Sequence, residues 1–564
     1  MMTFKTMLAA GACLAALAAM PAQAAETRAA TLKAHSGGTL KLTASAGGGS
    51  MDPQVNYESK GWEIFASTYD GLVSFQKTGG SNSNIVVPDI AEAIPAAQEG
   101  GKTYVFKIRQ GIHFSNGQEL TTKDVVASFQ RIFKVNNPNA GTWYNSIVGG
   151  DACLKDAAAG AACTLDGGVV ADEAAHTVTF HLTAPSAEFF YQLATPFGSI
   201  LPADTAGKDL GTKPPPGTGA YMIASYDPNT AMKIVRNPHF TEWDAAAQPQ
   251  GYADEIDYAY GLKDEDEVTA ILNGQQDWIF DEIPLDRLGE IGSKHKDLMH
   301  VQSLLAYYYM PFNVRMPPFD NLKARQAVAY AVDRAALVKL YGGPNLGTPL
   351  CQQLPVGMGG YEPYCPFTKG GTEKTAKWAA PDLEKAKQLI RESGTAGAKV
   401  TLISSDKQVE KSMGEYLANV LRNLGYDAQL KAISSNDQFN YIQNTKNKVQ
   451  VSLTDWFQDY PAPSDFLNVL FSNDSFHEGS DNSINIAGYN NPAIDAEMKK
   501  TLATAVADPK AANTMWAKID REITNDVPVV SLFQPKHIDL VAKRVGNYTW
   551  SDQYHMLYSQ VWVK

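Results

Sequence analysis

Strand-like and helix-like segments alternate along the chain from Tyr307 onward. Short runs of alternating apolar residues predict strands, and apolar residues at helical spacing predict helices. Their order is strand, helix, helix, strand, helix and strand, over residues 307–313, 321–340, 383–392, 400–403, 413–424 and 449–453. Strands separated by helices imply a mixed or parallel sheet, so we predict an α/β fold. Ligands of such sheets bind beyond the strand ends, which directs attention to the chain after Leu453.

The segment that follows Leu453 carries a carboxylate among aromatic side chains. Asp459 lies three residues after Trp456, two after Phe457 and directly before Tyr460. Loops that a rigid scaffold holds in place often carry binding groups. We predict that Asp459 receives a cationic group of a ligand, in the first instance the α-ammonium of a peptide. The alternative is a turn aspartate that bonds only its own backbone.

Two prolines define the end of this loop. Pro461 and Pro463 stop regular structure, because proline lacks an N–H and restricts the residue before it. Ser464 is then placed to cap a new helix that begins at Asp465.

The first 24 residues have the pattern of a secretory signal peptide. Lys5 precedes an apolar run over residues 7–20, and Ala22-Gln23-Ala24 has the small residues of a cleavage site. The run is too short to span a bilayer, and no later stretch is apolar for long enough. No cysteine lies at the cleavage point, which argues against a lipid anchor. We predict cleavage after Ala24 and an exported, periplasmic protein that is not embedded in a membrane.

Four cysteines remain after cleavage, namely Cys153, Cys163, Cys351 and Cys365. An even number of cysteines in an exported chain predicts disulfides. The nearest neighbours in sequence would close loops of about 11 to 15 residues, each worth about 3 kcal/mol in the chain-entropy model. Zinc is the weaker interpretation, because neither pair has Cys-x-x-Cys spacing or a histidine at finger distance. We expect no metal and no cofactor.

The charge of the mature chain is acidic. Lys5 is the only charged residue in the signal segment, so 48 − 1 = 47 basic residues remain against 60 acidic ones, a net charge of 47 − 60 = −13. An acidic exported protein is a poor match for nucleic acid or anionic lipid. This charge does not oppose a cationic ligand.

An enzymatic function has one sequence pattern in its favour. Ser74-x-x-Lys77, Lys77-Thr78-Gly79 and Ser480-Asp481-Asn482 match the three signals of penicillin-binding acyl transferases. Two of these signals share Lys77, which would then have to fill two places in the site. The pattern Ser-x-x-Lys also recurs at 293–296 and 404–407, so chance explains it better. A secreted serine acyl transferase remains a remote alternative, and we predict that the protein is not an enzyme.

Several short motifs occur along nearly the whole mature chain. They are Asp52-Pro53, residues 69–73, the segment 104–131, the turn Gly217-Thr218-Gly219-Ala220-Tyr221, Asn313, and the block 317–334. These motifs resemble those of the solute-binding proteins of family 5, the dipeptide and oligopeptide receptors of ABC importers. They also occur in the family's order, which makes the resemblance specific. In the turn, Ala220 departs from the proline that is usual in the family.

The resemblance implies two hinged lobes, with an extra small α+β domain inserted in the first lobe and the ligand between the lobes. It also implies a membrane permease as partner, and we expect a monomer. The predicted division is a signal peptide (1–24), lobe I first part (25–75), the inserted domain (76–189), lobe I second part (190–305), lobe II (306–529) and a C-terminal return to lobe I (530–564).

The resemblance also implies ligand-binding residues. In peptide-binding members a loop Trp-x-x-Asp-Tyr supplies an aspartate to the peptide's α-ammonium, and residues 456–460 match this loop. Other residues occupy positions that are used by relatives: Trp143 and Tyr144 for pocket walls, Tyr57 and Glu58 for opposing contacts, and Lys411 for the ligand's carboxylate. Core packing is an equal alternative for the Trp143-Tyr144 pair, and a solvated helix charge is an alternative for Lys411.

Two departures leave the ligand open. Ala462 stands where the family often has a second acid, and Leu453 stands where a tripeptide receptor has an arginine. Members of the same fold also bind metal chelates, opines and oligosaccharides, so a non-peptide solute is the alternative within the family.

Overall fold

The computed structural model describes residues 28–135, 137–158, 163–480 and 482–564. The predicted signal peptide lies outside the described residues. The strands are β1 (Thr39–Ala44), β2 (Val73–Phe75), β3 (Val86–Pro88), β4 (Thr103–Lys107), β5 (Val169–Asp172), β6 (Thr177–His181), β7 (Tyr221–Asp227), β8 (Ala231–Arg236), β9 (Glu255–Tyr260), β10 (Trp278–Ile279), β11 (Met299–Ser303), β12 (Ala306–Pro311), β13 (Gly347–Pro349), β14 (Lys399–Ser405), β15 (Asp427–Ile433), β16 (Val451–Ser452), β17 (Thr454–Phe457), β18 (Val529–Leu540), β19 (Val545–Gly546), β20 (Trp550–Ser551), β21 (His555–Met556) and β22 (Trp562–Val563).

The longer helices complete the list of elements. They are α1 (Ser59–Thr68), α2 (Thr122–Ile132), α3 (Gly150–Ala158), α4 (Phe189–Ala194), α5 (Asp264–Leu272), α6 (Leu285–Lys294), α7 (Leu322–Ala331), α8 (Arg334–Tyr341), α9 (Leu383–Ser393), α10 (Gln408–Asn423), α11 (Ser435–Gln443), α12 (Pro463–Phe471), α13 (Pro492–Ala505) and α14 (Pro509–Asp526). None of the helices in the described ranges is both long and apolar enough to span a bilayer.

The first half of the molecule is built on a five-stranded sheet with the order β10-β1-β9-β8-β7. Strand β1 runs parallel to β9 and β10, and the β7–β8 hairpin adds antiparallel pairs. In β9 every second side chain is buried, namely Ile256, Tyr258 and Tyr260, as expected for a strand with one face against the core. The apolar core of this half also includes residues from the small sheet described next.

A smaller α+β unit occupies the segment predicted as an insertion. Its sheet has the order β4-β6-β5, and helix α2 packs against β5 and β6. A capping box begins α2, since the backbone N–H of Thr121 donates to Asp124 Oδ2 at 2.7 Å. Cys153 and Cys163 form a disulfide in this unit, and Cys351 and Cys365 form the second one, so the prediction of disulfides is confirmed and each bond joins cysteines that are neighbours in sequence.

A buried ion pair ties this unit to the first sheet's core. The guanidinium of Arg131, at the end of α2, binds the carboxylate of Asp52 through two nitrogens, one of them at 3.0 Å. It also donates to Gln54 Oε1 and to the carbonyls of Ala206 and Lys208 at 2.8–2.9 Å. Asp52 is fully buried and Arg131 is 4% exposed, so both charges depend on this network.

The second half contains two sheets. One is antiparallel, with the order β11-β18-β12-β17 and with β13 beside β18. The other has the order β15-β14-β16, and both of its pairings are parallel. The α/β prediction is therefore confirmed. Within the second half, parallel pairing occurs only in the sheet β15-β14-β16 among the described residues. Strand β12 lies in the antiparallel sheet because its neighbours come from far along the chain, so its position could not be inferred from local order.

The chain changes sheets just before the predicted binding loop. Strand β16 pairs with β14 in the parallel sheet, and β17 pairs with β12 in the antiparallel sheet. Leu453 alone separates the two strands. The end of β17 thus lies where the strand order switches, which is a favoured place for ligands.

The predicted single helix over 321–340 is wrong, because it is two helices, α7 and α8. The break falls at Val332, and the side chain of Asp333 caps α8 by accepting from the N–H of Ala336 at 3.1 Å. A capping aspartate favours a new helix start over continuation.

The two halves are linked near the ends of β10 and β18. Trp278, in β10, donates from its indole Nε1 to Asp539 Oδ1 in β18 at 2.6 Å, and it forms a β-bridge with Val541. Strand β11 already belongs to the second half's antiparallel sheet, as does all of β18. The six segment boundaries given above remain predictions.

Candidate functional site

A cavity of about 390 Å³ lies between the two halves. Its lining comes from three parts of the chain: residues 57–62 and 278–282 of the first half, residues 303–308 and 405–459 of the second, and the C-terminal segment 537–555. The volume falls in the range of small-molecule sites. Ten aromatic side chains contribute to the walls, namely Tyr57, Trp62, Trp278, Phe280, Tyr308, Phe439, Trp456, Phe457, Trp550 and Tyr554.

Asp459 lies at this cavity, two residues after the end of β17. Its side chain is half-buried and accepts a hydrogen bond from the hydroxyl of Tyr57, which belongs to the first half. Its backbone N–H donates to Asp465 Oδ2 at 2.9 Å. No lysine or arginine of the described ranges forms an ion pair with Asp459. The contact with Tyr57 distinguishes Asp459 from a turn aspartate that bonds only its own backbone.

Burial raises the pKa of Asp459 to about 7, and the hydrogen bond from Tyr57 opposes this rise. Asp465 lies behind it, fully buried, and burial together with the charge of Asp459 raises the pKa of Asp465 well above its usual range. The site therefore holds two close carboxyl groups in a poorly hydrated place, where ionisation of both is costly. A positive charge beside Asp459 would remove this cost.

Trp456 and Phe457 also contribute to the cavity, but in different ways. Trp456 is 5% exposed and packs edge-on against Tyr57, with ring centroids 6.1 Å apart. Phe457 is half-buried and packs near His555. Glu58 faces the cavity, and burial by the surrounding protein raises the pKa of its carboxyl group. The structure thus brings Asp459, Trp456, Phe457, Tyr57 and Glu58 together.

The structure does not place Trp143 and Tyr144 on the cavity wall. Trp143 is 2% exposed and packs behind the wall, against Tyr57, with ring centroids 6.5 Å apart, and against Tyr460, at 5.5 Å. Tyr144 is fully buried, and its hydroxyl donates to the carbonyl of Gln192. Both therefore serve as core packing, which corrects their assignment as ligand contacts.

Lys411 also lies away from the cavity. Residues 408–423 form helix α10, and Lys411 is on its exposed face. Lys407, four residues earlier, does line the cavity, and its ammonium is 3.6 Å from Asp281 Oδ1. Carboxylates around Lys407, with Asp281 first, raise the pKa of its ammonium against the effect of burial. The lysine on the cavity wall is thus Lys407, whereas the predicted Lys411 does not line the cavity.

Ser464 has a different role from the predicted helix cap. Helix α12 begins at Pro463, and Ser464 lies inside it. The hydroxyl of Ser464 donates to Glu188 Oε1, and the hydroxyl of Tyr460 donates to Glu188 Oε2 at 3.3 Å. Glu188 comes from the first half, where burial raises its pKa to about 7. Together with the bond between Tyr57 and Asp459, these contacts join the two halves on one side of the cavity.

Sequence reasoning missed an acidic group to which both halves contribute. We call Glu282, Glu410 and Asp455, which all line the cavity, the acidic subsite. Burial and the charge of Glu410 raise the pKa of Glu282 to about 7 and that of Asp455 to about 6. The alternation of side chains along β17 could have indicated that Asp455, Phe457 and Asp459 share a face. The other two residues come from distant segments.

A stack of rings was also missed. Trp550 packs against both His537 and His555, with ring centroids 5.5 and 4.8 Å away, and the two histidine rings are 6.5 Å apart. Asp539, 3.4 Å from His537 Nε2, raises the pKa of His537 against the effect of burial. Burial lowers the pKa of His555 to about 4, so His555 is neutral at pH 7. No group of three or more potential ligand side chains within the described ranges is arranged to hold a metal ion.

The residues of the acyl-transferase pattern lie elsewhere. Ser74 and Lys77 are 4% and 3% exposed in the core of the first half, and neither lines the cavity. The ammonium of Lys77 donates to the carbonyl of Ala247 at 2.6 Å and contacts Ser74 Oγ only at 3.4 Å. Asp481, of the third signal, lies outside the described residues. This arrangement gives a substrate no access to Ser74.

Comparison with known proteins supports the same interpretation of the fold. The family described as bacterial extracellular solute-binding proteins, family 5 Middle, matches residues 86–478. The periplasmic oligopeptide-binding protein OppA of Salmonella typhimurium is 26% identical over 99% of this chain and 98% of its own. A relative from Escherichia coli named probable deoxycholate-binding periplasmic protein YgiS is 24% identical, over 91% of each chain.

Solved structures agree with the two-lobe architecture. The periplasmic binding protein DppA from Helicobacter pylori, in complex with the peptide STSA, superposes with a TM-score of 0.80. It is 20% identical, and the match covers 95% of this chain and 99% of that one. Since the family match spans well over half of the chain and the cavity lies between two linked halves, this protein belongs to the bacterial extracellular solute-binding proteins of family 5.

Proposed function

We propose that this protein is the periplasmic receptor of an ABC importer, and that it captures a peptide with a free amino terminus between its two lobes. The observation that carries this proposal is the carboxylate of Asp459. It lies in an aromatic-walled cavity between the halves and meets a tyrosine hydroxyl instead of a protein cation. The names of relatives, an oligopeptide-binding protein among them, support the same ligand class.

The α-ammonium of the peptide would displace the hydroxyl of Tyr57 from Asp459. The ammonium brings a positive charge that neutralises the buried carboxylate, whereas the hydroxyl of Tyr57 brings a donor but no charge. The walls of Trp456 and Phe457 would cover the apolar parts of the first residues. Closure of the lobes selects the closed state from an existing equilibrium, with the segments near β10 and β18 as the hinge. The receptor then delivers the peptide to the membrane permease, and it catalyses no reaction.

Isothermal titration calorimetry with Ala-Ala-Ala and its N-acetyl form tests this proposal. Acetylation removes the positive charge but keeps the length and the side chains. We expect the acetylated peptide to bind at least tenfold more weakly, because it would leave Asp459 without a cation. Before the titration, the protein is unfolded and refolded, and native mass spectrometry confirms that no ligand has co-purified. Equal affinity for both peptides would contradict the role of Asp459 and favour a non-peptide solute.

Peptide binding is expected to weaken at acidic pH. The ligand's ammonium needs the carboxylate form of Asp459, whose pKa without ligand is about 7. From the protonated fraction, the affinity should be roughly 15-fold lower at pH 5.5 than at pH 7.0, while the ligand's own amine stays charged. Calorimetry of Ala-Ala-Ala at several pH values measures this. The variant Asp459→Asn should show a flatter profile, and an unchanged affinity between pH 5.5 and 7.0 in the wild type would contradict the prediction.

A further inference from the structure

The acidic subsite is separate from Asp459 but belongs to the same cavity. Asp455 lies in β17 and Asp459 lies two residues after its end, so the four-residue step keeps their Cα atoms within roughly 14 Å of each other. The pKa of Asp455 responds to burial and to Glu410, whereas that of Asp459 responds to burial and to its contacts with Tyr57 and Asp465. The cavity therefore has negative charge at two distinct places.

The cationic side chains near the acidic subsite already form ion pairs with other carboxylates. Lys407 is the only lysine among the residues that line the cavity, and none of them is an arginine. Its ammonium is paired with Asp281 at 3.6 Å. His537 is paired with Asp539, and His555 is neutral at pH 7. The three carboxyl groups of the acidic subsite thus have only the charge of Lys407, and for Glu282 also that of His537, to offset their own, and both of these cations already have a partner.

The hydrogen bonding of the acidic subsite is incomplete. The hydroxyl of Tyr308 donates to Glu410 Oε1 at 3.4 Å, and that of Tyr341 donates to Glu282 Oε1 at 3.4 Å, so both bonds are long. Glu410 Oε2 is buried and has no hydrogen-bond partner in the part of the chain that the structure describes. A buried carboxylate oxygen without a donor is costly and indicates that a donor is missing. An ammonium brings three N–H donors and a guanidinium brings five.

We propose that the acidic subsite binds a second positive charge of the ligand, the side-chain ammonium of lysine or guanidinium of arginine. The inference rests on the proposed function, since it takes the α-ammonium at Asp459 as the first anchor. Each peptide residue spans about 3.3–3.6 Å, so a basic side chain at the second or third residue has the reach that the separation of the two sites requires. The preferred ligand is therefore a short basic peptide.

The same charges disfavour the opposite ligand group at this place. A peptide's terminal carboxylate or a glutamate side chain would meet Glu282, Glu410 and Asp455, and like charges at close range cost several kcal/mol in an interface. Lys407 could attract a carboxylate only by giving up Asp281. The subsite thus gives specificity by repulsion as well as by attraction.

Calorimetry with three peptides of equal length tests the proposal: Ala-Lys-Ala, Ala-norleucine-Ala and Ala-Glu-Ala. Norleucine keeps the length of the lysine side chain without its charge. We expect Ala-Lys-Ala to bind the wild-type protein at least tenfold more tightly than the norleucine peptide, and Ala-Glu-Ala to bind most weakly. In the variants Glu410→Gln and Asp455→Asn, the ratio of the affinities for Ala-Lys-Ala and the norleucine peptide should fall below threefold.

Glu415→Gln is the matched control, because Glu415 is on the exposed face of the same helix as Glu410. It should leave all three affinities as in the wild type. Glu282→Gln gives an independent check if one of the other variants folds poorly. Equal binding of the lysine and norleucine peptides, both with free amino termini, would overturn the second subsite and leave the proposed function intact. If the norleucine peptide binds no better than its N-acetyl form, the proposed function itself fails.

Discussion

The variant Asp459→Asn is expected to bind peptides with a free amino terminus at least 30-fold more weakly than the wild-type protein. Truncating one partner of a buried, hydrogen-bonded charge pair costs about 2–5 kcal/mol. At 1.4 kcal/mol per factor of ten, this range corresponds to roughly 30-fold to a few thousand-fold. Asparagine keeps one carbonyl oxygen for the ammonium, so the loss should lie toward the lower end. Calorimetry with Ala-Ala-Ala measures it.

The same variant should fold at least as well as the wild type. Asparagine has the size of aspartate, and it removes a carboxyl group whose charged form is disfavoured by burial beside Asp465. A melting temperature equal to or above that of the wild type therefore separates a binding defect from a folding defect. Asp427→Asn, at an exposed position of β15, is the control and should bind normally. An affinity of Asp459→Asn within threefold of the wild type would contradict the assignment.

The largest stability effect is expected for Arg131→Met. This change leaves the carboxylate of Asp52 buried without its cation, and such losses cost about 3–5 kcal/mol. It also removes the donors to the carbonyls of Ala206 and Lys208. We expect the free energy of unfolding, measured with urea, to fall by this amount. Lys134→Met, at an exposed position just after α2, should change it by less than about 0.5 kcal/mol.

A second substitution separates the lost charge from lost packing. In the double variant Asp52→Asn, Arg131→Met, the buried site holds no net charge, so part of the lost stability should return. If the double variant is less stable than Arg131→Met by the full cost of Asp52→Asn alone, the two residues act independently and the ion-pair account is wrong.

Features set by neighbouring residues could be predicted from the sequence. Alternating apolar residues indicated the strands, and the even number of cysteines in an exported chain indicated disulfides. The loop 456–460 could be found because its aspartate, its aromatic residues and its prolines lie within one short stretch. In each case the interacting groups are close in sequence as well as in space.

Features that depend on distant segments could not be predicted. The acidic subsite needs Glu282, Glu410 and Asp455 to meet, and nothing local to any of them signals the other two. Lys411 was chosen because related receptors keep a cationic residue at that position, whereas Lys407, directly before α10, is the lysine that lines the cavity. Ser464 matched a capping pattern, but Glu188, 276 residues away, competes for its hydroxyl.

The hydroxyl of Tyr57 donates to the carboxylate of Asp459, which we propose as the ligand's anchor. This contact also affects how the ligand is released. A bound ammonium would replace the hydroxyl of Tyr57 as the donor to Asp459. The binding free energy would then be the difference between these two hydrogen bonds and not the strength of one. When the ligand leaves for the permease, the hydroxyl of Tyr57 would bond Asp459 again, so the carboxylate would not be left without a hydrogen-bond donor. On the proposed function, Tyr57 would thus lower the barrier to ligand release. A transport receptor needs such release as well as high affinity.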